Sequence, residues 1–208
     1  MNTLFSSRDF KRTNTDPVHR IIYQGGIEVD IVPFEKIQDP DGEYTWPPPA
    51  LGSINVAGFM EINEQCITVA TKDNSLSFKV ASLPGIAMMK IFAWKDRKHE
   101  SNKDGMDIGF IINHYVDVKE DELYEQHDDI VAAEDFKLIN ASARILGRDI
   151  KELIQENKIA LQRTCDILRE ELSDEENSLL ARIMAHSGLS YITTYDALTN
   201  LLQGIEDK

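Results

Sequence analysis

LPGIAMMKIFAWKDR, residues 83–97, is the stretch on which the architecture turns. Ser82 ahead of it can cap a helix, and Pro84 fits a first helical turn, where its missing N–H costs nothing. Upstream the chain is β-rich and broken by turns; downstream it reads as helix. Lys90 stands mid-stretch, with Ile86, Ala87, Met88 and Met89 before it and Ile91, Phe92, Ala93 and Trp94 after. On a helix it shares a stripe with Ile86, Ala87 and Trp94. An unpaired charge buried there is very costly, so the ammonium either snorkels to water or meets a carboxylate.

Candidate carboxylates follow at once. In KDGMDIGF, residues 103–110, Asp104 and Asp107 are three apart and share a helix face. A second helix is expected over about 102–115, and a hairpin through 98–102 would bring that face against Lys90. Asp104 also suits the first turn of a solvated helix, where an acid favours the dipole. Asp107, set between Met106 and Ile108, suits that bland role less well.

After Tyr115 every segment has helical periodicity. Ile139, Ala143, Leu146, Ile150 and Leu153 form one stripe, and Leu161, Cys165, Leu168 and Leu172 another. Leu180, Ile183 and Ser187 follow more weakly, then Tyr191, Tyr195, Leu198, Leu202 and Ile205. Ser173 with Glu176 is a capping-box pattern.

Upstream, Val18–Gln24 and Ile27–Phe34 read as strands joined by a two-residue Gly25-Gly26 hairpin turn. In IEVDIVPF, residues 27–34, Asp30 is a carboxylate among Val29, Ile31 and Val32. A strand of that kind commonly presents its acid to a metal or a polar site. Pro33 ends the ladder. Asp39-Pro40-Asp41-Gly42 looks like a D-x-D metal pair but fits a turn better. Trp46-Pro47-Pro48-Pro49 is a stiff extended piece. Ile67–Thr71 and Leu76–Val80 are short strands connected through Lys72–Ser75. The expectation is an α+β chain: a domain over 1–115 with a mixed sheet and helices, then an acidic all-helical domain over 116–208.

Charge narrows the function classes. The net charge is −14; residues 1–115 carry 12 Lys and Arg against 15 Asp and Glu, and residues 116–208 carry 10 against 21. Such a surface disfavours nonspecific binding to a phosphate backbone and permits a basic protein partner or cations. Cys66 and Cys165 form no ligand spacing. No phosphate-cradling glycine loop and no H-E-x-x-H occurs, and His19, His99, His114, His127 and His186 are scattered. With no apolar leader and no membrane-length apolar run, a cytoplasmic location is expected.

Four stretches, DPVHRIIYQGGIEVDIVPF (16–34), LPGIAMMKIFAWKDR (83–97), KDGMDIGFIINHY (103–115) and NASARILGRDIKELI (140–154), together resemble the nucleotidyltransferases related to AbiEii, the toxin component of abortive-infection and type IV toxin–antitoxin systems. They occur in that family's order and span most of the chain. The resemblance implies a nucleotidyltransferase-like fold that transfers a nucleoside monophosphate from an NTP, with Mg²⁺, to a tRNA or protein hydroxyl. It implies Asp30 as the third metal carboxylate, Lys90 as the cofactor-binding lysine near the triphosphate, and Asp104 or Asp107 as the downstream catalytic acid. An antitoxin partner is implied as well.

The sequence departs from the family in one respect. No G-[GS] turn leading into a strand-borne D-x-D pair stands ahead of Asp30, so the chain reads as N-terminally truncated and supplies one of three metal carboxylates. One carboxylate alone is a poor Mg²⁺ site, and two-metal phosphoryl chemistry needs several acids. Impaired transfer is therefore expected. The alternative is a non-catalytic interaction module that keeps the fold and binds a protein partner. A sheet missing a strand would expose an edge, which a second copy could cover as a homodimer.

Overall fold

The computed structural model describes residues 9–11, 19–34, 37–46 and 52–207, which form two compact units that divide after Phe59. In the first unit β1 (Phe10–Lys11), β2 (Arg20–Tyr23) and β3 (Ile27–Asp30) make an antiparallel sheet in that order. The hairpin turn has three residues rather than two: Tyr23 pairs with Ile27, and Gln24–Gly26 form a 3₁₀ turn between them. Gly25 (φ 78°) and Gly26 (φ 93°) take left-handed conformations that favour glycine. The Gln24 side-chain amide reaches across to Asp9.

A second small sheet pairs β4 (Glu43–Thr45) with β5 (Ser53–Asn55). Asp39 is a turn former here: its Oδ1 accepts from the amides of Asp41 and Glu43 at 2.9 and 2.8 Å. Trp46 is buried, with its ring edge-on to Tyr44 and stacked on His19. Pro47, Pro48 and Pro49 lie outside the described residues, as does Val18.

The second unit begins within α1 (Phe59–Glu64) and continues through a hairpin of β6 (Ile67–Ala70) and β7 (Ser77–Val80). The sequence reading expects one mixed sheet. The described strands instead form three separate antiparallel sheets, because each has only two to four residues and pairs with near neighbours in the chain. Seven further helices follow: α2 (Leu83–Arg97), α3 (Lys103–Gln126), α4 (Asp128–Val131), α5 (Leu138–Ile154), α6 (Lys158–Glu171), α7 (Leu179–Met184) and α8 (Tyr191–Glu206).

Residue 115, the expected division between domains, falls inside α3. Ile108, Ile111, Ile112, Tyr115, Val116 and Leu123 keep α3 buried along its length, so the helix does not stop where the sheet region was expected to end. The hydroxyl of Ser142 on α5 enters the α3 ladder, accepting from the Val116 amide at 3.1 Å and donating to the Ile112 carbonyl. A group inserted into an i, i+4 pair is a recognised cause of helix bending. Three residues on, Lys119 leaves helical geometry (φ −124°, ψ 17°). The predicted capping box also moves. Ser178, not Ser173, caps α7 by accepting from the Ala181 amide, while Asp174 takes the Glu176 amide and so withdraws Glu176 from any capping role.

The helical core centres on α5 against α8. The stripe residues Ala143, Leu146, Ile150 and Leu153 are buried, and so are Leu198, Leu201 and Ile205 opposite them. The axes come together at two glycines. A β-carbon on Gly147 would lie 2.2 Å from the Leu201 carbonyl oxygen, and one on Gly204 would lie 2.0 Å from that of Arg144. Backbone cannot move aside as a flexible side chain can. Gly147→Ala and Gly204→Ala are each expected to lower stability by about 2–4 kcal/mol, the upper range of overpacking costs, read as a shift in the urea midpoint.

Candidate functional site

The three residues singled out on α2 and α3 converge. Residues 98–102 turn the chain so that α2 and α3 pack together, and Lys90 Nζ lies 3.0 Å from Asp104 Oδ1 and 2.6 Å from Asp107 Oδ2. Lys90 therefore meets carboxylates rather than snorkelling alone. Asp104 is wholly buried, whereas the Asp107 side chain is 38% exposed. The two acids share a face as their spacing requires, one turned toward the core and the other toward its rim.

A fourth member completes the cluster. Arg97 grips Asp104 with two parallel bonds, Nε to Oδ2 at 2.6 Å and a terminal nitrogen to Oδ1 at 2.8 Å. This fork-on-carboxylate geometry is among the stronger charge-assisted arrangements. Sequence reasoning passed over Arg97, yet a signal was present: it lies seven residues, or two turns, past Lys90 on the same face of α2. Burial acts to raise the Asp104 pKa, but the bonds from Arg97 and Lys90 outweigh it and hold the carboxyl below its ordinary value. Burial likewise works against the Lys90 charge, and the bonds to Asp107 and Asp104 prevail, raising its pKa.

A second buried carboxylate, on α6, faces α2 at Trp94. Glu171 accepts from Trp94 Nε1 at 3.0 Å, from Lys98 Nζ at 2.8 Å and from the Leu180 amide at 3.0 Å. It thus ties α2, α6 and the start of α7 together. Nothing in the sequence separates it from Glu170, whose side chain is half-exposed and paired with Lys95 and Lys98.

Asp30 belongs to the other unit. It stands directly across the β2–β3 ladder from Arg20, which binds both its oxygens at 2.7 and 2.9 Å and also reaches Glu28 at 2.6 Å. Glu28 and Asp30 are two residues apart and share one face of the strand, so a single guanidinium serves both. Its oxygens are thereby committed to Arg20, and this donor set does not fit Mg²⁺, which takes several oxygen ligands in octahedral array. Among the described residues no three His, Cys, Asp or Glu side chains gather as a metal-binding group.

No protein-family model, no curated protein and no solved structure matches this chain. Among the described residues, no helix is long and apolar enough to cross a membrane.

The cluster separates its two acids experimentally. Asp104→Asn removes the buried charge facing Lys90 and the half-exposed Arg97 and is expected to cost about 1–3 kcal/mol, since Lys90 keeps Asp107 and water reaches Arg97. Asp107→Asn, at the exposed rim, is expected to cost less than about 1 kcal/mol. Because the folded pKa values of Asp104 and Glu171 are depressed below 3.8 and 4.5, their stabilisation is present at neutral pH and lost as pH falls below about 4. Urea midpoints between pH 6 and pH 3 should drop steeply for the parent chain and less steeply for Asp104→Asn; parallel slopes would refute the assignment.

Proposed function

We propose that this chain is a nucleotidyltransferase-like protein of the AbiEii-related kind, whose Lys90 side handles triphosphate and whose transfer chemistry is impaired. The observation that carries this reading is the meeting of Lys90, Asp104 and Asp107 across the α2–α3 turn. These are the residues that the resemblance assigns to the triphosphate lysine and the downstream acid.

Two features of the cluster suit phosphate binding. Lysine is a compact point charge on a flexible stem, able to exchange one anionic partner for another. Asp104 keeps its two bonds from Arg97 if Lys90 swings away, so moving the ammonium to a phosphate would not strand a buried carboxylate. The displaced partner would be Asp107, which water can reach. In the family the group transferred is a nucleoside monophosphate and the acceptor an RNA or protein hydroxyl. Mg²⁺ supplies charge neutralisation at the phosphates in such reactions. No step through Mg²⁺ is assigned here, since Asp30 is engaged by Arg20 and within these residues no D-x-D strand precedes it.

That same engagement favours a second reading, a non-catalytic interaction module that retains the fold. Arg97 with Lys90 balances the two helix acids, and Arg20 holds both strand acids, so each of these carboxylates already has a cationic partner.

Thermal melting in the presence of ATP, GTP, CTP and UTP, each with and without Mg²⁺, distinguishes the two. On the nucleotidyltransferase-like reading at least one triphosphate raises Tm by about 2 °C or more by mass action, and Lys90→Met abolishes the rise. Unchanged melting with all eight combinations would exclude triphosphate handling and leave the interaction module.

A further inference from the structure

We infer that the apolar face of the β6–β7 hairpin and the acidic cleft beside it form a docking surface for an extended, basic and apolar segment of a partner protein. The surface shares no residue with the Lys90 cluster, and the inference goes beyond both readings above: an enzyme or a binding module could equally carry it.

The register of the hairpin places Ile67 opposite Val80 and Val69 opposite Phe78, so all four side chains lie on one face. All four are exposed, Ile67 at 58% and Phe78 at 51%. A two-stranded ribbon with one apolar face and nothing packed on it is marginal in water. Scattered surface hydrophobics are ordinary, whereas four on one face of a ribbon make a patch. Among the described residues β6 and β7 pair only with each other, so each keeps an outer edge of free N–H and C=O groups. An edge of this kind accepts an added strand, with main-chain bonds giving affinity and side-chain positions giving selectivity.

Ile67 also lines a cleft of about 490 Å³, whose apolar walls include Leu83, Pro84 and Val118. Its polar side is acidic. Asp149 accepts from the Tyr115 hydroxyl and lies 3.3 Å from Lys119, and that lysine is already bound to Glu122 at 2.7 Å. Glu152 stands at the rim, exposed. One cation thus serves two acids while a third faces solvent, and the cleft has excess negative charge. Lys119 sits at the break in α3 geometry with its ammonium toward Asp149. Charge complementarity therefore selects a ligand with Lys or Arg beside apolar side chains, and continuity with the hairpin face selects an extended peptide over a small amine.

The test uses the whole chain and two labelled hexapeptides, Lys-Val-Lys-Phe-Lys-Val and its counterpart with Glu at each Lys position, followed by fluorescence anisotropy. The basic peptide is expected to bind at least tenfold tighter than the acidic one at low salt. Glu152→Lys and Phe78→Ser, both at exposed positions, should each weaken it at least fivefold without changing Tm. Equal binding of the two peptides, or variants that bind like the parent, overturns the inference. So does competition by free cadaverine at the peptide's own concentration, which would mark a small-cation site. A concentration-dependent dimer in sedimentation that Phe78→Ser abolishes would assign the face to a second copy and overturn it too.

Discussion

Asp104 is a carboxylate without access to water, and the arrangement of α2 and α3 follows from the need to satisfy it. An isolated buried charge costs several kcal/mol, so the helices can pack closely only in the geometry that brings two cations to that one side chain. Arg97 arrives from the end of α2 and Lys90 from its middle, two turns apart on one face. The turn through 98–102 is consequently fixed in length and direction. Glu171 repeats the device on the other side of Trp94, binding indole, ammonium and amide at once. Helix α2 is thus pinned twice, by buried acids belonging to α3 and to α6.

Pinning by charge and packing by shape have separate places in this molecule. The α5–α8 crossing has no ionic centre; it depends on Gly147 and Gly204, where backbone meets backbone. Charge flanks that crossing. Arg144 and Arg148 on α5 hold the Asp207 carboxylate beyond the C-terminus of α8, where cations also oppose the helix dipole. Apolar contact fills most of the space between these charged points. An exception in kind is Ser142, a buried hydroxyl that takes a place in the α3 ladder and precedes the break at Lys119.

Function follows from which of these charges are free to change partners. Asp104 and Glu171 are locked, each with at least three donors. Lys90 is different, because its loss would leave Asp104 still doubly bonded by Arg97, and its other partner Asp107 can be hydrated. That asymmetry makes Lys90 the residue of the cluster with chemistry to spare. Asp30, by contrast, shares Arg20 with Glu28 in a cross-strand clamp that serves the hairpin.

Much of this was legible in the chain itself. The 3.6-residue stripes pointed to the long helices and β-rich runs to β2, β3, β6 and β7, while β1, β4, β5 and α1 carried no such pattern; one lysine in an apolar stretch announced that a carboxylate must come to it. The spacing of Asp104 and Asp107 even named the candidates, because position on a helix face is local arithmetic. What only the tertiary structure decided was non-local. No sequence pattern distinguishes Glu171 from Glu170, since burial depends on where α2 and α7 happen to lie. The length of α3 beyond residue 115 depends on what Leu123 packs against, and Ser178 displaced Ser173 as a cap because Asp174 captured the Glu176 amide. The Arg20 opposite Asp30 was equally hidden, since cross-strand register is set by the turn and cannot be seen from either strand alone. LPGIAMMKIFAWKDR specified a helix and a charge in need of a partner; the fold supplied the partner and added Arg97, which leaves Lys90 able to exchange it.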